Sequence, residues 1–280
     1  MKGSERSRQR LLDRMMFIEN KFLSRDNDIY FLEVIEGKVL INDNYNGLLL
    51  MDSNFNLLKK YEIDNDLIID FYIKKDTEIL LFCYESERIV YISLEQEIQK
   101  VISLKGYEMC IFSELFEWNT ENIILFDYKG NVFSLSIENA EINIIKSFDL
   151  FIDAMMAYKK LKPFHLRKMF STEKKAIIED ASKKLSLIGY DGVVRNIRSI
   201  LEGEFHDFEI SDYFIAEIGE NETVFVEVAG DGCKRCRPDS GYCFLRGKFL
   251  IENQRIWFYL LSGDKSDVQK NIIYKYELIL

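Results

Sequence analysis

Three of the five cysteines in this 280-residue chain fall within eleven residues, in the stretch GDGCKRCRPDSGYC that begins at Gly230. Their spacing is C-x2-C-x6-C. A C-x2-C turn can present two thiolates to one metal ion, because a short loop with glycines curls around it. Lys234, Arg235 and Arg237 would offset thiolate charge and lower the cysteine pKa. Cys233, Cys236 and Cys243 are therefore candidate ligands for Zn2+ or an Fe–S group, or candidate redox thiols. A tetrahedral site wants a fourth ligand. His206, Asp231 and Asp239 are the residues to hand, and none has a metal-binding spacing. The competing reading is a polar loop with free thiols. Cys83 and Cys110 sit inside strand-like runs and are expected to be small buried apolar residues.

A second group of residues offers electrostatics rather than ligation. Between 159 and 198 there are eleven basic residues against four acids, a net +7 in a chain of net −10. Lys159, Lys160, Lys162, His165, Arg167 and Lys168 cluster at its start, with Phe164 and Phe170 interleaved. A local field of that sign steers acidic partners by long-range attraction. Basic residues with aromatics also suit stacked nucleic acid, the less favoured partner class for a chain this acidic. A solvated loop balanced by neighbouring acids is the third reading. The stretch at about 159–175 is expected to be an inserted contact loop.

Catalytic motifs are missing. There are two histidines, His165 and His206, and no G-x-S-x-G, phosphate-binding G-x-x-x-x-G-K-[ST], H-E-x-x-H or G-x-G-x-x-G after a strand. Acids such as Asp28, Asp70 and Glu117 could make a glycosidase pair, yet with 47 acidic residues a pair arises by chance.

The elements that must position these residues are strands. Ile123–Tyr128 is an apolar β-rich run, Lys129-Gly130-Asn131 breaks it, Val132–Ile137 follows, Glu138-Asn139 breaks again, and Ile142 opens a third run. The same hairpin recurs. Leu50, Tyr91 and Ser134 occupy its equivalent position, 41 and 43 residues apart. Three four-strand sets run from Ile29 to Phe148. A fourth is expected from Phe151–Tyr158 through Ala176–Ala181, Leu185–Tyr190 and Val193–Ile200. A fifth takes Phe208–Ile218, Thr223–Val228, the Gly/Cys-rich loop 230–242 and Cys243–Phe249. The last has Leu250–Ile251, Ile256–Leu261 and Ile272–Ile279, and is short by one strand.

A period near 42 with four short strands per repeat resembles the blades of the β-propeller superfamily. A twisted four-stranded sheet cannot bury both faces alone, whereas stacked blades can. The resemblance covers most of residues 28–280 and concerns fold only, since no WD, kelch or YVTN-type signature is present. It implies an all-β propeller of about six four-stranded blades, with five to seven allowed. A large β-sandwich is the alternative. Residues 1–25 form a basic segment, either a short helix or the strand that closes the propeller, and 26–280 form a single domain.

The N-terminus is interrupted by Asp13, Arg14, Glu19 and Asn20, unlike a signal peptide. No apolar run approaches the roughly 20 residues of a membrane span. A cytoplasmic, bacterial, non-membrane setting is expected. The function expected is non-enzymatic protein binding, as a complex subunit or an immunity-type inhibitor, with an acidic protein as partner. A metal or redox accessory protein is the alternative, and a carboxylate glycosidase the second alternative.

Overall fold

The computed structural model describes residues 16–63, 66–106, 112–118, 123–127, 131–145, 164–170, 175–182, 184–189, 191–201, 204–228 and 232–279. They fold into six four-stranded antiparallel sheets. In chain order the strands are β1 (Met16–Ser24), β2 (Leu32–Ile35), β3 (Lys38–Asn42), β4 (Gly47–Met51), β5 (Leu57–Glu62), β6 (Phe71–Lys75), β7 (Glu78–Cys83), β8 (Arg88–Ser93) and β9 (Ile98–Ser103). There follow β10 (Phe112–Trp118), β11 (Ile123–Asp127), β12 (Val132–Ser136), β13 (Glu141–Ile145), β14 (Phe164–Phe170), β15 (Lys175–Asp180), β16 (Leu185–Gly189) and β17 (Val194–Ile197). The chain ends with β18 (Asp207–Ile210), β19 (Phe214–Ile218), β20 (Thr223–Glu227), β21 (Cys233–Cys236), β22 (Tyr242–Glu252), β23 (Arg255–Asp264) and β24 (Asn271–Leu278). Among the described residues no helix is long and apolar enough to cross a membrane.

Five sheets take four consecutive strands each, from β2–β5 to β18–β21. The sixth has the order β1-β24-β23-β22, so the N-terminal segment supplies its outermost strand. Of the two forms expected for that segment, residues 16–24 take the closing strand. The repeat spacing is also as expected. Leu50, Tyr91 and Ser134 lie in β4, β8 and β12, opposite Leu40, Leu80 and Ile124 respectively.

Burial explains why the sequence reads as it does. The second and third strands of a blade are covered on both faces, so β7, β8 and β19 are buried almost end to end. Such strands show continuous apolar runs rather than alternation. The fourth strands are mostly solvated, and both β5 and β9 bury chiefly one tyrosine or isoleucine, Tyr61 or Ile102.

Four expected boundaries move, one of them being Phe208–Ile218, which divides into β18 and β19. The first strand of the fourth sheet is β14, not Phe151–Tyr158, which lies outside the described residues. Residues 164–170 of the expected contact loop are thus an inner strand, paired with β15. The apolar alternation of Phe164, Leu166 and Met169 is that of a strand, which the surrounding lysines disguise. The supposed Gly/Cys-rich loop contains β21, the fourth strand of the fifth sheet. Cys243–Phe249 consequently belongs to β22, which runs unbroken through Leu250 and Ile251.

The chain divides into two compact units, Met1–Asp66 with Ser199–Leu280, and Leu67–Arg198. In the first, the fifth and closing sheets share a core built on Phe214, Phe225, Phe244 and Phe258. Phe258 meets Phe225 and Phe249 edge-on, at centroid distances of 4.9 and 4.7 Å. Such pairs contribute about 0.5–1.5 kcal/mol beyond area burial. The fit is close enough that a Cβ at Gly247 would run into the Phe258 ring. The closing and first sheets share a second core around Trp257, Tyr259, Leu32 and Ile41. In the other unit, Leu80, Phe82, Leu125 and Phe133 join the second and third sheets.

Candidate functional site

The cysteines are positioned by strand geometry. Cys233 faces Val226 and Cys236 faces Thr223 across the β20–β21 ladder. Residues three apart on a strand point to opposite faces. Cys236 accordingly enters the shared core of the fifth and closing sheets, while Cys233 stays half-buried. Burial pushes the Cys236 thiol up to about 12, the reverse of the activation expected from its basic neighbours. Those neighbours are engaged elsewhere. Lys234 is buried, donates to the Ile279 carbonyl and lies 4.4 Å from the centre of the Phe214 ring. Burial holds its pKa below the ordinary lysine value. Arg235 makes two bonds to the Glu222 carboxylate, at 2.9 and 3.0 Å.

Cys243 lies at the start of β22, opposite Gly263, and is half-buried. His206 Nε2 is 2.7 Å from the Leu245 carbonyl and so donates its proton there. Asp239 pairs with Lys21 at 3.7 Å. Asp231 lies outside the described residues. Among the described residues no three His, Cys, Asp or Glu side chains come together as a metal-binding group. Cys83 is buried as expected, with its thiol pushed up to about 12 by burial. Cys110 lies outside the described residues.

The basic cluster divides between inner and outer strands. Lys159, Lys160 and Lys162 lie outside the described residues. His165 sits in β14 opposite Glu179, and Lys168 opposite Ile177, with a bulge between Leu166 and Lys168. The bulge holds Arg167, whose Nη1 is 3.3 Å from Glu179 Oε2. Glu179 is buried and Arg167 exposed, so the pair ties the guanidinium to the face of the sheet. The solvated charge is further out. Lys184 in the β15–β16 turn and Arg195 in β17 are exposed, and so is Arg198 after β17. Val193 and Val194 beside them are 49 and 38% exposed. Lys184 and Arg195 had no signal of their own in the sequence. What marks them is the radial position of their strand and turn, visible only once β14 is identified as the inner strand.

Two of the acids considered for catalysis, Asp28 and Asp70, hold turns. Asp28 Oδ2 accepts the Tyr45 hydroxyl at 2.9 Å, and Asp70 Oδ2 accepts the Tyr84 amide at 2.7 Å. Asp127 and Asp180 do the same at the ends of β11 and β15. Asp127 takes the amide of Asn131, and Asp180 those of Ser182 and Lys184, at 2.8–3.0 Å. Glu117 lies in β10.

No family model matches the chain, and no curated protein matches it. Solved structures do. The β-propeller domain of Myceliophteria thermophila Cps50 (Swd1) superposes with a TM-score of 0.54 at 8% identity, covering 94% of this chain and 99% of that one. The WD40 domain of Neurospora crassa Pan2 superposes with a TM-score of 0.56 at 7% identity, covering 95% and 96%. The six four-stranded sheets are therefore the blades of a six-bladed β-propeller.

Proposed function

We propose that the chain is a non-enzymatic protein-binding module, either a subunit of a larger complex or an immunity-type inhibitor. Its partner is an acidic protein that docks on the outer side of the fourth blade. One observation carries this reading. β17 is exposed along nearly its whole length, and its Val194 and Arg195, with Val193 just before it, lie inside the 159–198 segment of net +7. An apolar centre flanked by cations suits a partner surface that is acidic at its rim. Lys184 extends the same field, and Lys159, Lys160 and Lys162 belong to the same basic stretch of the sequence. The superposed domains support the reading only through their fold, which hosts many functions.

The test is quantitative capture from the native host's lysate, wild type against a variant with Lys159, Lys160, Lys162, Lys184 and Arg195 changed to Glu. At least a tenfold loss of the captured protein is expected, with loss of its salt sensitivity. Equal capture by the two proteins sinks the docking face. Zn2+ or Fe–S binding by Cys233, Cys236 and Cys243 is a separate proposal, decided by the metal content of chain purified under reducing conditions.

A further inference from the structure

A different surface lies on the first blade, in the other compact unit. Asp28 and Tyr30 belong to the linker between β1 and β2, and Tyr45 to the turn between β3 and β4. The rings of Tyr30 and Tyr45 are stacked, with centroids 5.7 Å apart and planes 22° from parallel. The Tyr45 hydroxyl donates to Asp28 Oδ2. Tyr45 is 43% exposed, and Tyr30 and Asp28 are half-buried.

Two features separate this group from an ordinary acidic turn. The first is charge left over. Nearby acids have their own cations, Asp43 with Lys60 at 2.6 Å and Asp267 with Lys270 at 3.0 Å. Among the described residues neither Asp28 nor its neighbour Asp26 has a cationic partner, and Arg25, adjacent in sequence, pairs with neither. The second is rigidity. Asn42 is fully buried, and its Oδ1 accepts the amides of Tyr30 and Phe31 at 3.0 and 2.9 Å. Its Nδ2 donates to the carbonyls of Asp28 and Asn44 at 2.6 and 2.9 Å. Asn44 Oδ1 in turn accepts the Asp28 amide at 3.0 Å. The linker and the turn are thus locked together before anything binds, which removes most of the ordering cost of docking.

An exposed, electron-rich ring beside a carboxylate without a counter-ion complements a planar cation. A guanidinium can lie on the ring face while its N–H groups reach the carboxylate. We propose that Asp28, Tyr30 and Tyr45 form a recognition site for an arginine side chain of a partner protein. The site rests on the reading of the chain as a protein-binding module and adds a second, oppositely charged contact to it. The hydroxyl of Tyr45 stays a donor across the ordinary pH range, because its bond to Asp28 raises its pKa. That bond leaves the other carboxylate oxygen and the ring face for the guanidinium. Lysine, a compact and strongly hydrated charge, is the poorer fit.

The experiment is an NMR titration of the full chain, following tyrosine ring signals, with acetyl-Gly-Arg-Gly-amide as probe. Its lysine and citrulline counterparts are the comparison probes. Saturable shifts of the Tyr30 and Tyr45 signals are expected at millimolar arginine peptide. Binding should be several-fold weaker for lysine and absent for citrulline, which has the shape without the charge. Tyr45→Leu and Asp28→Asn should each weaken the arginine peptide at least fivefold, with the thermal midpoint unchanged because neither side chain is part of the asparagine lock. Equal shifts by lysine and arginine, or shifts that persist in both variants, overturn the site as mere attraction to an acidic chain. Absence of any shift up to about 20 mM peptide overturns it as well. Persistent lysate capture with no response to the arginine peptide removes this site and leaves the protein-binding reading intact.

Discussion

The closing blade and the fourth blade solve the same problem in different ways. Strands β22, β23, β24 and β1 of the closing blade have 11, 10, 8 and 9 residues. The fourth blade has strands of 7, 6, 5 and 4 residues. In the fourth blade a short turn ties the outer strand to its neighbour, so β17 can remain a thin solvated edge. In the closing blade no turn joins β24 to β1, and side chains replace it. Glu19 of β1 pairs with Lys275 at 2.6 Å, and that buried lysine stands 4.4 Å from the centre of the Trp257 ring. Phe22 of β1 packs on Phe55 of the first blade at 5.7 Å. Where β1 ends, Asn271 donates to the Asn27 carbonyl at 2.7 Å. A strand held without a covalent hairpin has to be longer and more specifically bonded.

The contrast can be broken most severely in the shared core. Phe258→Ala should cost about 3–5 kcal/mol, because the ring is fully buried between Phe225 and Phe249. Urea unfolding reads this directly, and a loss under about 1 kcal/mol would mean that the closing blade is not the tighter one. Asn42→Ala should follow at about 2–3 kcal/mol, since it strands the amides of Tyr30 and Phe31 in a buried place.

Lys234→Met sharpens the comparison through pH. The folded lysine has a depressed pKa, so above that value and up to the ordinary 10.5 the unfolded chain binds more protons. Wild type should therefore gain stability relative to Lys234→Met as pH rises toward 10. Parallel thermal midpoints from pH 7 to 10 would show that the ammonium is not penalised by its burial. The smallest effect belongs to the fourth blade. Val194→Ala should stay within about 0.5 kcal/mol, because this side chain is 38% exposed on an outer edge.

The blade repeat was legible because middle strands covered on both faces must be continuously apolar, and Leu50, Tyr91 and Ser134 fall in register on them. Even the missing strand was legible, since Leu250–Ile251, Ile256–Leu261 and Ile272–Ile279 leave a sheet one strand short. The candidate site was not. The C-x2-C motif read as a candidate metal-binding turn because glycines surround it, yet four residues suffice for an outer strand, and that strand turns Cys233 and Cys236 to opposite faces. The basic run hid an inner strand because its lysines outweigh Phe164, Leu166 and Met169 in any local reading. The asparagine lock was invisible for a third reason. Asn42 and Asn44 are ordinary turn residues in sequence, and only the tertiary fold brings them to the Asp28–Phe31 linker and to Asn27, whose Nδ2 donates to the Asn42 carbonyl.

The pairing of β1 with β24 also sets a timetable. Met16 faces Leu278, so β1 leaves the ribosome long before its partner strand has been made. At about 5–20 residues per second that is a wait of roughly 10–50 s. During it β1 is an unpaired strand with Ile18 and Leu23 on its surface, open to any other nascent chain that offers an edge. Assembly order is thereby fixed by connectivity: consecutive blades can form as they emerge, and the closing blade is completed only when β1 meets β24.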